Sequence, residues 1–474
     1  MFKYLSILYI LIFRSYIICE VLTLNDYCKI FNERNNEIKS LEANILSIES
    51  KLAEIDRIYS YYFTAGTNYL NDQTGQELYL INIDKLLTTT YSASLNKQFR
   101  IGTYLSFGVG GFYGDYSGYK TFDDPEKIRY NDHRLYPFIH LHQSLLKNIK
   151  GTSTKTSIAK QKAQIKSSLY LLEYKKQALL FNAKLSYWKL SYAKTVTKFR
   201  TMSLERTMKF LTYNFKKYKL NLIDESDLLQ AQAAVKLKEL SLNLAIEEQT
   251  KAQVELTQLL NLETYQEYEV ENIDDKVLNL IKIEKLKRKN QRLDVLSALE
   301  DVKSATYDEL IYKKSSGADL VLDGQASLSN VYRSIRASTT TINTSKNDAP
   351  TFSFGIKYVL PLDFKLRKII HKGYNAAKIA AEKTAKQLQS KEDSNWNLLV
   401  EHFNNVKSRL QIAYEIKKIQ QRRTIKNKSN LQKGKGSTYF VLQSEQDLDD
   451  IELNIFQYIL ELIAIQEQAN IFYS

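Results

Sequence analysis

The sequence predicts an α+β membrane protein built from two copies of one unit, each read as helix, strands, very long helix, turn, helix. Three observations carry this reading. The chain matches itself at a fixed offset. Its hydrophobic period switches from helical to alternating and back in each copy. Its few helix breakers cluster, since no Gly or Pro occurs between Thr152 and Ser316 although the chain holds 15 Gly and 4 Pro. Without such residues nothing forces a helix to stop.

The internal match comes first, because a missed repeat misassigns the whole fold. Asn221-Leu-Ile-Asp-Glu-Ser-Asp-Leu-Leu-Gln-Ala-Gln232 aligns with Gly434-Lys-Gly-Ser-Thr-Tyr-Phe-Val-Leu-Gln-Ser-Glu445, offset by 213 residues. Arg34 to Leu41 aligns with Arg288 to Leu296, pairing Ile38 with Leu293 at an offset of 255. The offsets differ by 42 residues, so the first copy carries an insertion, most of it before Ser144. The first copy is placed at 20–263, with strands at about 61–146, a long helix at 152–220 and a helix at 224–262. The second occupies 264–474, with a helix at 285–315, strands at about 318–361, a long helix at 366–432 and a helix at 437–472.

The opening helix shows Ile38, Leu41, Ile45, Ile48, Leu52 and Ile55, a heptad-like stripe. The strand regions alternate instead. Phe352, Phe354, Ile356, Tyr358 and Leu360 interleave with Thr351, Ser353, Gly355, Lys357 and Val359. In the first copy Leu105, Phe107, Val109 and Tyr113 share a face, within candidate strands at about 61–70, 88–99, 101–113 and 135–146. The insertion is read as an extra hairpin around Phe99 to Thr103. A helix over 152–220 would run about 100 Å at 1.5 Å per residue. Ile165, Leu169, Leu172, Leu179, Ala183 and Leu190 keep a seven-residue stripe along it, which suits a coiled-coil assembly.

Residues 1–19 read as an export signal: Met1-Phe2-Lys3 is basic, and Tyr4 to Phe13 is an apolar run too short to span a bilayer. Lipidation of Cys19 is the alternative use of this region, though Ile17-Ile18 lacks the usual small residue. Removal of the signal leaves Cys28 alone, which excludes a disulfide framework. No later stretch is apolar enough for a membrane helix, so membrane residence requires a closed β-barrel. The net charge of +14 is read as Lys and Arg on solvated helix faces, not as a nucleic-acid site.

No site chemistry argues for an enzyme. Phosphate-binding glycine loops and nucleophile elbows are missing. His140 and His142 share a strand face without an evident third metal ligand. Asp123-Asp124 and Asp449-Asp450 read as solvated neighbours. No catalytic residue, metal or cofactor is expected.

Several segments resemble the TolC-type outer-membrane efflux proteins over nearly the whole chain. Leu22-Thr23-Leu24-Asn25-Asp26-Tyr27-Cys28 is similar to the family's opening motif, with Cys28 where Ala is usual. Val359-Leu360-Pro361-Leu362 resembles the family's strand-to-helix junction, and Gln143-Ser144-Leu145-Leu146 occupies the same place in the first copy, with Ser144 for proline. The segments after Asn221 and Gly434 resemble its turn motif. The resemblance implies a homotrimer with one shared transmembrane β-barrel, continued by a periplasmic α-helical coiled-coil barrel. It implies an outer-membrane location in a Gram-negative bacterium, contact with outer-membrane lipid, a periplasmic adaptor and an inner-membrane transporter. It also implies a duct serving a tripartite efflux pump or type I secretion system. The turns then form the adaptor-contacting, gated tip, with Asn221, Asp224, Asp227, Gly434, Gly436, Phe440 and Gln443 as its residues. Phe440 and Gln443 stand where the family carries acids, so an apolar plug is expected in place of a charged gate. Asp224, Glu225 and Asp227 serve either the gate or the helix dipole. An exported coiled-coil scaffold is the alternative that the helices alone also fit.

Overall fold

The computed structural model describes residues 21–78, 81–120, 127–262, 267–273, 285–288, 290–329 and 349–472. The signal segment 1–19, Cys19 and the Asp123-Asp124 pair lie outside the described residues. The chain divides into two compact units: one takes its described residues from the stretch up to Leu46, from Leu169–Ser297 and from Lys386–Ser474, the other from Ser47–Ser168 and Ala298–Ala385.

The helices are α1 (Leu24–Arg34), α2 (Asn36–Arg57), α3 (Thr152–Lys219), α4 (Glu225–Leu259), α5 (Leu293–Ser315), α6 (Phe364–Gln432) and α7 (Thr438–Asn470). The strands are β1 (Tyr61–Asp72), β2 (Gln76–Leu78), β3 (Ile81–Gln98), β4 (Thr103–Lys120), β5 (Lys127–Ser144), β6 (Asp319–Ser329) and β7 (Ala349–Val359). The helix expected over 285–315 begins at Leu293, and residues 285–288 carry no regular structure.

The first unit is a helical bundle. On α6, Leu399, Phe403, Val406, Leu410 and Ala413 are buried at steps of four and three, and Ile455, Ile459 and Leu462 of α7 share their core. This is the interlocking seam of a coiled coil. The chain start is tied into this unit. Thr23 caps α1, accepting from Asp26 N at 3.2 Å. Leu22 forms a parallel bridge to Val270, and Tyr187 Oη donates to Leu22 O at 2.6 Å. Beside it Tyr27 is fully buried against Tyr187, and burial pushes its phenol up to about 12. The opening motif therefore has a local role, since it caps a helix and pins the segment around Val270.

The second unit holds one antiparallel sheet ordered β1-β3-β4-β5-β6-β7, with β2 paired to β3. The hairpin expected around Phe99 to Thr103 is β3–β4, turned at Phe99–Gly102, where Phe99 N donates to Thr103 O and Gly102 N to Phe99 O. The strands run further than the alternation showed: β3, β4 and β5 have 18 residues each. β4 contains Gly108, Gly110, Gly111, Gly114 and Gly118, the last two beyond the expected strand at 101–113. Glycine weakens a strand signal, yet here it makes room for rings. A Cβ on Gly111 would stand 2.0 Å from Tyr91, and one on Gly110 2.5 Å from Tyr136.

Candidate functional site

Register gives the sheet two chemically distinct faces. One row reads Phe63, Leu95, Phe107, Ile139, Ala326, Phe352 across six strands, and its neighbour contains Leu105, Leu141, Gly324 and Phe354. On the other face the matching row reads Tyr62, Asn96, Ser106, His140, Gln325, Ser353. The apolar face is open: Phe352 is 79% and Phe354 70% exposed. Towards the β4–β5 connection the apolar face turns polar, through His133, Asn131, Asp115 and Arg129. Arg129 binds Asp115 in a bidentate pair, Nε to Oδ1 at 3.0 Å and Nη2 to Oδ2 at 2.6 Å.

On the polar face the structure supplies a partner for the histidine pair. His140 Nε2 lies 2.6 Å from Asp323 Oδ1, and His142 Nδ1 lies 2.8 Å from Asp323 Oδ2. Asp323 comes from β6, 183 residues after His140 and 181 after His142, so no local pattern exposed it. Each imidazole takes a separate carboxylate oxygen, which is a hydrogen-bonded triad. Among the described residues no group of three or more His, Cys, Asp and Glu is placed to hold a metal ion.

Ser144 ends β5, and its hydroxyl donates to Asp319 Oδ1 at 2.8 Å, while Lys147 N donates to the same oxygen at 3.1 Å. Asp319 thereby ties the segment that follows β5 to the start of β6. Pro361 lies between β7 and α6 at the corresponding junction.

The two turns of the helical unit share one geometry. Asn221 (φ 56°) and Gly434 (φ 66°) both adopt the left-handed conformation. Leu222 N donates to Lys217 O at 3.0 Å, and Lys435 N to Asn430 O at 2.9 Å. These six-to-one bonds complete the helix ends after α3 and α6. Gly436 serves the turn by close approach, because a Cβ there would stand 3.2 Å from Leu431 N. Lys217 Nζ donates to Leu431 O at 3.2 Å, so the turns are neighbours. Asp224 caps α4 without a side-chain hydrogen bond, and Glu225 and Asp227 occupy the first turn, where acids favour the dipole. Phe440 is 56% exposed with its ring against Tyr439, and Gln443 is also exposed.

One expectation is overturned. Asp449 is not solvated with its neighbour Asp450; it is buried between three helices. Lys238 Nζ of α4 donates to its Oδ2 at 2.7 Å and Arg206 Nη2 of α3 to its Oδ1 at 2.9 Å, and the Ser203 hydroxyl binds it too.

No protein-family model matches the chain, and no curated protein does. Solved structures do match. The channel-forming CusC superposes with a TM-score of 0.64 at 9% identity, covering 98% of this chain and 94% of its own. The outer membrane protein VceC of Vibrio cholerae gives 0.63 at 11% identity, over 94% of each chain. The CmeC outer membrane channel of Campylobacter jejuni gives 0.59 at 14% identity, over 95% and 85%. The chain thus has the TolC-type fold of these outer-membrane channels.

Proposed function

We propose that this protein is one subunit of a trimeric outer-membrane exit duct, passing substrates out through a tripartite efflux pump or type I secretion system, and that it performs no covalent chemistry. The observation that carries this reading is the two-faced sheet. An aqueous protein does not leave a row of Phe and Ile open on a sheet whose edge strands are unpaired. A bilayer accepts the apolar face, provided the edges are closed by further strands. Spanning needs about 9–11 residues per strand, which β1, β6 and β7 supply and β3, β4 and β5 exceed. Three copies would close an 18-stranded barrel around the polar face. No described helix is long and apolar enough to cross a membrane.

In this reading the protein sits in the outer membrane with its helices in the periplasm, and the turns around Asn221 and Gly434 meet an adaptor that links it to an inner-membrane transporter. Residues 20–263 and 264–474 act as structural repeats. Three copies of Phe440 close the tip by packing, with Asp224, Asp227, Gly436 and Gln443 around them. The test is conductance in planar bilayers. The protein should form discrete channels, and Phe440→Ala should raise resting conductance while Gln443→Ala changes it less. Absence of channels would remove the duct. An unchanged Phe440→Ala beside an opened Asp227→Ala would replace the plug with a charge gate.

A further inference from the structure

The triad of His140, His142 and Asp323 lies on the face of the sheet that the duct reading makes the lumen. Its members are open there, with side chains 31%, 45% and 49% exposed. Strand β7 leaves the carboxylate uncovered, since the residue paired with Asp323 is Gly355.

The surroundings do not fix the charge of this group. His140 pairs with Ser106 on β4 and Gln325 on β6, and His142 pairs with Tyr104 on β4 and with Asp323 itself. Tyr104 meets the His140 ring edge-on at 6.3 Å, while its hydroxyl donates to Asn96 at 3.0 Å. The charged neighbours on the same face are Lys357 on β7, paired with Val321, then Asp319 on β6, and Arg134 with Asp132 further along β5. Asp319 already takes the Ser144 hydroxyl and Lys147 N, and Arg134 holds Asp132 at 2.8 Å. Among the described residues none of these forms an ion pair with the triad.

A carboxylate stays ionised above about pH 5, whereas imidazole is the side chain that ordinarily changes charge between about pH 5 and 8. With both imidazoles neutral the triad carries one negative charge. With both protonated it carries one positive charge. Three copies around a shared lumen would swing from three negative charges to three positive ones, and rings of charged side chains select ions in pores.

We propose that this triad sets the ion selectivity of the barrel, favouring cations while its imidazoles are neutral and anions once both are protonated. The role rests on the duct reading, because only a closed barrel turns the polar face into a lumen.

The test is the reversal potential of the full-length protein in planar bilayers under a potassium chloride gradient, at about pH 8 and about pH 5. Salt near about 0.01 M keeps the screening length at about 30 Å, so charges on the wall act across the lumen. The potassium-to-chloride permeability ratio should fall about fivefold or more between the two conditions. In the double variant His140→Gln/His142→Gln, whose amides can still donate to Asp323, most of that fall should disappear. Asp323→Asn should lower the ratio already at the higher pH. Lys357→Gln removes a fixed charge from the neighbouring row and should leave the pH step in place. A double variant whose ratio falls as far as the wild type's would overturn the role and leave the duct intact. Absence of channels in the wild type would remove the duct and this role with it. If the double variant does not assemble, Asp323→Asn decides alone, and an unchanged ratio at the higher pH overturns the role.

Discussion

Asp449 shows how one residue draws its meaning from distant helices. Removing a carboxylate from water is expensive, and only dense donation offsets it. Lys238 and Arg206 provide that donation from α4 and α3, and Gln446 of α7 also binds Lys238 Nζ, at 2.7 Å. Such a cluster gives little net stability but penalises any helix register that separates its members. Asp449→Ala should therefore lower stability by about 3–5 kcal/mol, because it strands Lys238 in the interior. Adding Lys238→Met to that variant should restore part of the loss. A double-mutant cycle read by thermal unfolding checks this, and additive losses would mean that the two side chains do not act together. The sequence did not reveal the cluster. Asp449 stands beside an exposed Asp450, and its partners lie more than 200 residues away.

The turns and strands show which elements can be read locally and which cannot. A helix reversal is a local event, so Asn221 and Gly434 mark it by their own tolerance of positive φ. The long helices were legible for the same reason, since heptad spacing and missing Gly and Pro act within each segment. In β4 the strand was legible where one face is apolar, from Leu105 to Tyr113. Beyond Tyr113 its pairing is reinforced by the Arg129–Asp115 bridge, which makes no alternating pattern. At the turns the physics predicts opposite outcomes for similar changes. Gly434→Ala should cost about 1–2 kcal/mol through left-handed strain. Asn221→Gly should leave stability within a few tenths of a kcal/mol, because asparagine already adopts that region. Thermal midpoints of the two variants measure the difference, and equal losses would show that both turns are held by packing instead.

At the scale of the whole molecule the unresolved demand is the pair of sheet edges. Among the described residues β1 and β7 each pair on one side only. The six long strands alternate in direction, so β7 of one copy and β1 of the next would meet antiparallel, as each neighbouring pair inside the sheet does. The rows also match in chemistry, because Phe63 on β1 and Phe352 and Phe354 on β7 lie on the same apolar face. If copies close the barrel in this way, single cysteines at Thr64 on β1 and at Thr351, Ser353 or Lys357 on β7 point to the polar side together. In a Cys28→Ser background, doubly substituted protein oxidised in membranes should give covalent dimers and trimers for at least one of these partners. Pairing Thr64 with Phe352, on the opposite face, should give none. Crosslinks formed only within one chain would mean that the sheet closes on itself, and monomers throughout would remove the shared barrel.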